Sequence, residues 1–336
     1  MRKTEKKSKT EKKNSFALRF AVILAVLILI AYIITGNLII SAALVPSFMQ
    51  RLDAFETVTE QSYSEMIYTD DITLNMKAAS EETLAWFQEV PKYKTSVETE
   101  DGYTLVGAVF RNEESHRWAL ILHGYTGWKE EMYHFAAKYY EQGFNVICPD
   151  LRCHGESEGD FIGLGYTDSY DNLLWLDYIN SLDADAKIVI HGESMGASCA
   201  LMMSGLDKLP GNVICVISDS AFTDALSIFR KKVHDWTGLY DIGFTASARL
   251  CLLARGGYDV KKASALEAVK RSTTPTLFIQ GMSDKFVPPE MVDPLYEACA
   301  AEKQLLKIEG AGHVQSAYKD PESYYSTVFE FINKAE

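Results

Sequence analysis

The chain has 336 residues, of which 47% are hydrophobic and 24% charged, so wholesale disorder is excluded and one large domain or two small ones can be accommodated. Its net charge of −13 is unevenly distributed, because residues 1–15 carry seven Lys or Arg and two Glu and the remainder therefore carries −18. A body this acidic repels a polyanion, so no nucleic acid is expected among its partners.

An apolar stretch follows the basic tail of residues 1–15. Residues 20–45 include no charged side chain, and about 20 apolar residues suffice to cross the hydrocarbon core of a membrane. The pattern predicts a transmembrane signal anchor over residues 16–45. By the positive-inside rule the tail stays in the cytoplasm, and the body of this single-pass cell-membrane protein is extracellular. The alternative is a cleaved signal peptide with Ser41, Ala42 and Ala43 at its cleavage site, although its apolar core would exceed the usual length of about 7–15 residues.

Residues 46–92 are predicted to form a helical connector, and residues 93–336 a catalytic domain of α/β class. In the domain, short apolar strands alternate with helices at 131–141, 169–179 and 197–206, which is typical of βαβ units in a mainly parallel sheet. The first two strands flank Asp101-Gly102 and are predicted to form an antiparallel hairpin. The eight predicted strands are 95–99, 103–110, 118–122, 145–148, 187–190, 213–217, 276–279 and 304–308.

The strongest motif is Gly192-Glu193-Ser194-Met195-Gly196, which follows an apolar β-branched run and precedes a small-residue helix. A serine at the tip of such a strand-to-helix turn presents its hydroxyl at the carboxyl edge of the sheet. The glycines remove side chains that would collide where strand and helix cross. The backbone amide of Met195, at the helix start, faces an anion that forms beside the serine oxygen.

The sequence His123-Gly124-Tyr125-Thr126-Gly127 follows another predicted strand, so the amide of Tyr125 is predicted to be a second oxyanion donor. A plain glycine turn is the alternative.

Asp284 follows the strand at 276–279, where it can accept a hydrogen bond from a histidine ring and fix its tautomer. Asp219 is the backup acid at the end of the preceding strand. His313 lies on a glycine loop after the last strand and completes the order Ser, Asp, His that the serine turn predicts. Among the other histidines, His123 and His191 are predicted to be structural, and His154 to shape a loop. The six cysteines form no C-x-x-C pair and are predicted to be buried thiols.

The stretch from about residue 93 to 334 resembles the α/β-hydrolase superfamily. The resemblance rests on the His123 and Ser194 turns, on Asp150-Leu-Arg-Cys-His154-Gly-Glu-Ser157, on Asp284 and on Gly312-His313. Within the superfamily the chain is similar to the bacterial esterase/lipase and serine-aminopeptidase-like branch, including membrane-anchored members. It departs from the lipases because it has no His-Gly-Gly-Gly run.

This resemblance implies an α/β-hydrolase fold with a mainly parallel eight-stranded sheet flanked by helices. It assigns Ser194 as the nucleophile, His313 as the base and Asp284 as the orienting acid. It also implies a small helical lid, here about 222–272, with Trp236, Tyr240, Phe244 and residues 250–253 as its apolar members.

The combined expectation is a serine hydrolase that cleaves a small-molecule or lipid ester through an acyl-enzyme on Ser194. This reaction requires neither a metal nor an organic cofactor. A carboxylic ester is favoured because an alkoxide leaving group demands less of the general acid than an amine does. A peptidase or thioesterase of the same fold and a non-catalytic binding member are the alternatives.

Overall fold

The computed structural model describes residues 2–51, 66–237 and 243–336. Two parts of the predictions lie outside these residues: positions 52–65 of the connector, and positions 238–242 of the lid, which include Tyr240. The predicted boundaries of tail, anchor, connector, catalytic domain and lid remain predictions.

An eight-stranded sheet organises the fold, as predicted, in the order β1-β2-β4-β3-β5-β6-β7-β8. The first two strands form the predicted antiparallel hairpin, β2 also pairs with β4 antiparallel, and all other neighbours are parallel. The strands are β1 (Lys92–Glu98), β2 (Thr104–Phe110), β3 (Arg117–Leu122), β4 (Asn145–Pro149), β5 (Lys187–Glu193), β6 (Val213–Asp219), β7 (Thr276–Gly281) and β8 (Lys303–Ile308).

The helices cover both faces of the sheet. The bounds are α1 (Arg2–Leu44), α2 (Pro46–Arg51), α3 (Asp70–Glu89), α4 (Tyr133–Glu141), α5 (Tyr166–Leu182), α6 (Met195–Ser204), α7 (Ala225–Thr237), α8 (Phe244–Gly256), α9 (Ala265–Val269), α10 (Val292–Ala298), α11 (Ser316–Lys319) and α12 (Pro321–Ala335). Helices α5, α6 and α10 bury apolar side chains in the core on one face, and α4 and α12 do so on the other. Because the central strands are buried on both faces, they read as continuous apolar runs.

The end of helix α1 packs against the part of the chain that the sheet organises. Its segment Asn14–Leu44 has the length and composition to cross a membrane, with a mean hydropathy of 2.8 in its most apolar window. From Tyr32 onward, however, α1 packs against α8: Ser247 Oγ and the Tyr32 carbonyl are hydrogen-bonded, and Arg255 donates to Ser41 Oγ over 2.9 Å. Ile40 and Leu44 are 2% and 4% exposed and lie in the core on that face. The end of the apolar helix is therefore built into the fold.

Candidate active site

Ser194 lies at the tip of the turn between β5 and α6. Its φ of 53° and ψ of −113° are outside the regions that residues with a side chain normally adopt. Its N–H donates to the Asp219 carbonyl over 2.8 Å, which fixes the turn to the adjacent strand β6. A Cβ at Gly192 would lie 2.2 Å from the Gly196 carbonyl oxygen. A Cβ at Gly196 would lie 2.2 Å from the Leu122 carbonyl oxygen. Both glycines are therefore required by close backbone approach.

His313 lies between Ser194 and Asp284. Its Nε2 is 2.9 Å from Ser194 Oγ, and its Nδ1 is 2.7 Å from Asp284 Oδ2. Because an ionised carboxylate only accepts, Nδ1 carries the proton and Nε2 is left to accept from the serine hydroxyl. The Phe286 ring stacks on the imidazole with ring centres 4.8 Å apart.

The Asp284 carboxylate is held by backbone groups of its own loop. Oδ1 accepts the N–H groups of Phe286 and Val287, each over 2.8 Å. Gln280 Nε2 donates to Oδ2 over 3.3 Å. The side chain is 4% exposed, so these bonds compensate the loss of water around it. The loop thus presents Oδ2 to His313 in one orientation.

The other predicted acid, Asp219, is not the residue bonded to His313. It is fully buried at the end of β6, where Ser220 Oγ donates to its Oδ1 over 2.9 Å. Burial raises the pKa of Asp219 to about 6. Its backbone carbonyl, which accepts from Ser194, is the part of the residue in direct contact with the serine.

Two buried histidines fix the turn after β3. Leu151 N–H donates to His123 Nε2 over 2.9 Å, so Nδ1 carries the proton and donates to the Gly124 carbonyl over 2.7 Å. The N–H of Tyr125 belongs to the same planar peptide group and so points away from His123. A Cβ at Gly124 would be 3.4 Å from Ser194 Cβ, so the turn lies directly against the serine.

His154 supports this turn from its other end. Thr126 N–H donates to His154 Nε2 over 3.2 Å, and Nδ1 donates to the Arg152 carbonyl over 2.9 Å. Burial lowers the pKa of His123 to about 4 and that of His154 to about 3, so both stay neutral at physiological pH. Their contacts agree with the loop-shaping role predicted for His154 and the structural role predicted for His123.

The other predicted structural groups also lie in the interior. The two ring nitrogens of His191 are hydrogen-bonded to the hydroxyls of Tyr139 and Tyr324, over 3.1 and 3.2 Å. Five of the six cysteines are buried, as predicted, and Cys153 is half-buried.

A cavity of about 280 Å³ opens beside Ser194 and His313. Part of its lining is apolar and comes from positions not predicted from the sequence, Met66 before α3 and Met76 on α3. Another part is acidic and comes from Glu131 and Glu193, which were not predicted either. No alternation along β5 identifies Glu193, since every residue from Ile188 to Glu193 is buried. Its position directly before Ser194 is the local signal that places it beside the site.

The two glutamates are poorly solvated. Burial raises the pKa of Glu131 to about 7. Burial, together with the nearby Asp219 and Glu131 carboxyls, raises the pKa of Glu193 well above its ordinary value. Glu193 is 5% exposed. Near neutral pH the protonation of these two carboxyls, and with it the charge at this end of the cavity, therefore depends on the ligand that the cavity holds.

Glu131→Gln is expected to make stability less dependent on pH between about 5 and 8. The unfolded Glu131 carboxyl ionises near pH 4.5, whereas the folded one keeps its proton to about pH 7. The wild type therefore loses stability as the pH rises through this window, by on the order of 2 kcal/mol, and the glutamine variant lacks this loss. Thermal unfolding at the two pH limits measures the difference. An equal shift in melting temperature for both proteins would contradict the prediction.

Within residues 2–51, 66–237 and 243–336, no group of three or more His, Cys, Asp or Glu has an arrangement that could hold a metal ion.

Residues 119–326 match the model of the Alpha/beta hydrolase family. This match covers more than half of the chain, so the protein belongs to that family. Hydrolase activity is the class of function that this family supports.

Two relatives extend the likeness over most of the chain. The chain is 27% identical over 248 residues to YqkD, an uncharacterized protein of Bacillus subtilis, with 74% of this chain and 81% of the relative covered. It is 26% identical over 245 residues to an uncharacterized membrane protein of Saccharomyces cerevisiae, with 72% and 80% covered. The yeast relative and the apolar α1 suggest membrane association.

Solved structures show the same fold. An esterase of Pyrococcus furiosus, Pf2001, superposes with a TM-score of 0.60 at 23% identity, covering 73% of this chain and 93% of its own. A membrane phospholipase A, described as a bacterial virulence factor, superposes with a TM-score of 0.55 at 16% identity, covering 86% and 98%. At these identities the likeness concerns the fold alone.

Proposed function

We propose that this protein is a serine hydrolase that cleaves a carboxylic ester through an acyl-enzyme on Ser194. The observation that carries the proposal is the hydrogen-bonded series Ser194 Oγ, His313 Nε2, His313 Nδ1 and Asp284 Oδ2, with separations of 2.9 and 2.7 Å. A serine in a strained turn, an imidazole within hydrogen-bond distance of it and a carboxylate that orients the ring are the parts of nucleophilic acyl transfer.

In the proposed reaction His313 takes the Ser194 proton as the oxygen attacks the ester carbonyl carbon. The amides of Tyr125 and Met195 stabilise the oxyanion, since the first points away from His123 and the second opens helix α6 without an acceptor of its own. His313 then protonates the leaving alkoxide and later activates the water that releases the acyl group. Asp284 keeps the ring oriented and stabilises its positive charge.

Covalent labelling by a fluorophosphonate probe tests this proposal. The probe phosphonylates a serine only where a base and an oxyanion site activate it. The wild-type protein should be labelled in its native state, and Ser194→Ala should not. A native wild type that resists labelling would reject the proposal and favour a non-catalytic binding member of the fold.

A peptidase that releases an amino-terminal residue is the second candidate, and the acidic end of the cavity favours it. Glu131 and Glu193 lie in the same cavity as Ser194, where an ionised carboxylate would stabilise the ammonium group of a substrate. Comparing aminoacyl p-nitroanilides with p-nitrophenyl esters separates the two candidates. Faster turnover of the anilides, lost in Glu193→Gln, would favour the peptidase.

We further propose that α1 is an uncleaved anchor that holds the catalytic domain, residues 93–336, outside the cell membrane and residues 1–15 in the cytoplasm. Burial of Ile40 and Leu44 in the domain supports retention of the helix, because cleavage near Ser41 would separate Ile40 from the core that it fills. The Tyr125 hydroxyl also donates to the Ala43 carbonyl, next to the predicted cleavage site.

Membrane fractionation is expected to leave the full-length protein in the pellet after a high-salt wash and to release it only with detergent. An apolar helix inserted in the bilayer is insensitive to ionic strength, whereas charge-mediated attachment is screened. An amino-terminal epitope tag should stay on the protein and resist protease in intact cells. Release by salt, or loss of the tag, would contradict the anchor.

A further inference from the structure

Part of the apolar lining of the cavity beside Ser194 comes from a segment that precedes the sheet. Met66 and Met76 both line this cavity. Of the described residues in the predicted lid, 222–272, none is among those lining it. We call residues 66–76 the strap, since this segment begins and ends with these two methionines.

Gln315 fastens the strap to the loop that carries His313. Its Nε2 donates to the Ile67 carbonyl over 3.0 Å, and its Oε1 accepts the Ile67 N–H over 2.9 Å. The side chain is fully buried. A Cβ at Gly312 would lie 2.4 Å from Gln315 Oε1, so the glycine before His313 leaves room for this double hydrogen bond. The strap and the imidazole are thus positioned by one loop.

Two further polar contacts hold the start of α3 on the same surface. Asn75 Nδ2 donates to the Tyr318 carbonyl over 2.8 Å, and Lys319 is paired with Asp71. The other end of α3 is fixed by aromatic packing of Trp86 on Phe110, with ring centres 4.7 Å apart. A helix held at both ends keeps Met76 at a defined distance from the serine.

We infer that the strap determines which esters the site accepts, with Met66 and Met76 forming the wall against which the acyl chain of a small ester packs. This inference rests on the proposed hydrolase function and adds its substrate class. A cavity of about 280 Å³ is slightly smaller than the usual range for small-molecule sites, which is roughly 300–1,000 Å³. Unbranched methionine side chains adapt to apolar groups of varied shape. The expected substrates are esters of short unbranched acids.

The test uses the full-length protein in detergent and p-nitrophenyl esters from acetate to decanoate, with rates divided by the number of sites that a fluorophosphonate titrates. Met76→Ala should raise the ratio of kcat/KM for decanoate to that for acetate by roughly tenfold, and Met76→Trp should lower it. Leu84→Ala is the matched control on the same helix, since Leu84 lies outside the strap and is 61% exposed, and it should leave the ratio unchanged.

Gln315→Met tests the fastening, because it removes both bonds to Ile67 at similar volume. The methionine wall is then no longer fixed to the loop that carries His313. KM for the acetate ester should therefore rise severalfold, while kcat should fall by a smaller factor. If Met76→Ala does not fold, Met66→Ala carries the same test. An unchanged chain-length ratio in the folded, labelled variants would overturn the inference alone. A wild type that is not labelled at all would overturn the proposed function and this inference with it.

Discussion

Ser194→Ala is expected to reduce ester hydrolysis by at least about 10⁴-fold while leaving the protein folded. The alanine keeps the backbone of the strained turn and removes only the oxygen that is 2.9 Å from His313 Nε2. Without this oxygen no acyl-enzyme forms, and the remaining amides can only polarise the ester for attack by water. Initial rates with p-nitrophenyl butyrate measure the loss.

The matched control for this variant is Ser181→Ala on helix α5, where the hydroxyl is exposed and donates only to the Tyr178 carbonyl over 2.7 Å. Its rate should equal that of the wild type. Thermal unfolding of Ser194→Ala should match the wild type, because the alanine keeps the strained backbone and the N–H donated to the Asp219 carbonyl. A Ser194→Ala protein that is folded and retains more than about a tenth of the activity would show that another residue is the nucleophile.

Local sequence pattern was sufficient to place the main parts of the site. Apolar runs between turn residues predicted the central strands, because a buried parallel strand has no polar side chain to interrupt it, and the Asp101-Gly102 turn predicted the hairpin of β1 and β2. The sheet topology then brings Ser194, Asp284 and His313 to one edge, since parallel strands end on the same side. β5 extends to Glu193, beyond its predicted end at 190, because Gly192 still pairs with Ser218 of β6. The turn motif obscured this continuation.

The contacts of helix α1 and of the strap could not be predicted in the same way. The part of helix α1 from residue 20 to 44 has no charged side chain, so no alternation of apolar and charged positions marks Gly36, Ile40 and Leu44 as the face that meets the domain. The strap reaches the site through a hydrogen bond between residues 67 and 315, which are separated by 248 positions. No local pattern encodes such a pairing. Glutamates are usually solvated, so the sequence does not indicate that Glu131 is largely removed from water.

The docking of α1 predicts a large effect of small substitutions in an apparent membrane anchor. Ile40→Ala combined with Leu44→Ala is expected to lower the free energy of unfolding of the catalytic domain by about 3–8 kcal/mol, since each change removes a buried side chain and leaves a cavity. The surroundings cannot close over these cavities easily, because a Cβ at Gly36 would already lie 2.2 Å from Ser247 Oγ. Thermal unfolding in detergent, followed by tryptophan fluorescence, measures the loss.

Leu38→Ala is the matched control, since Leu38 lies on the same helix but is 54% exposed, and it should change the stability by less than about 1 kcal/mol. The two outcomes separate two roles for the helix. If the double variant unfolds well below both the control and the wild type, the catalytic domain needs the end of its anchor in order to fold, and cleavage near Ser41 would inactivate it. If all three unfold together, α1 contributes only attachment, and the cleaved form that the small residues at 41–43 allow would be a stable enzyme.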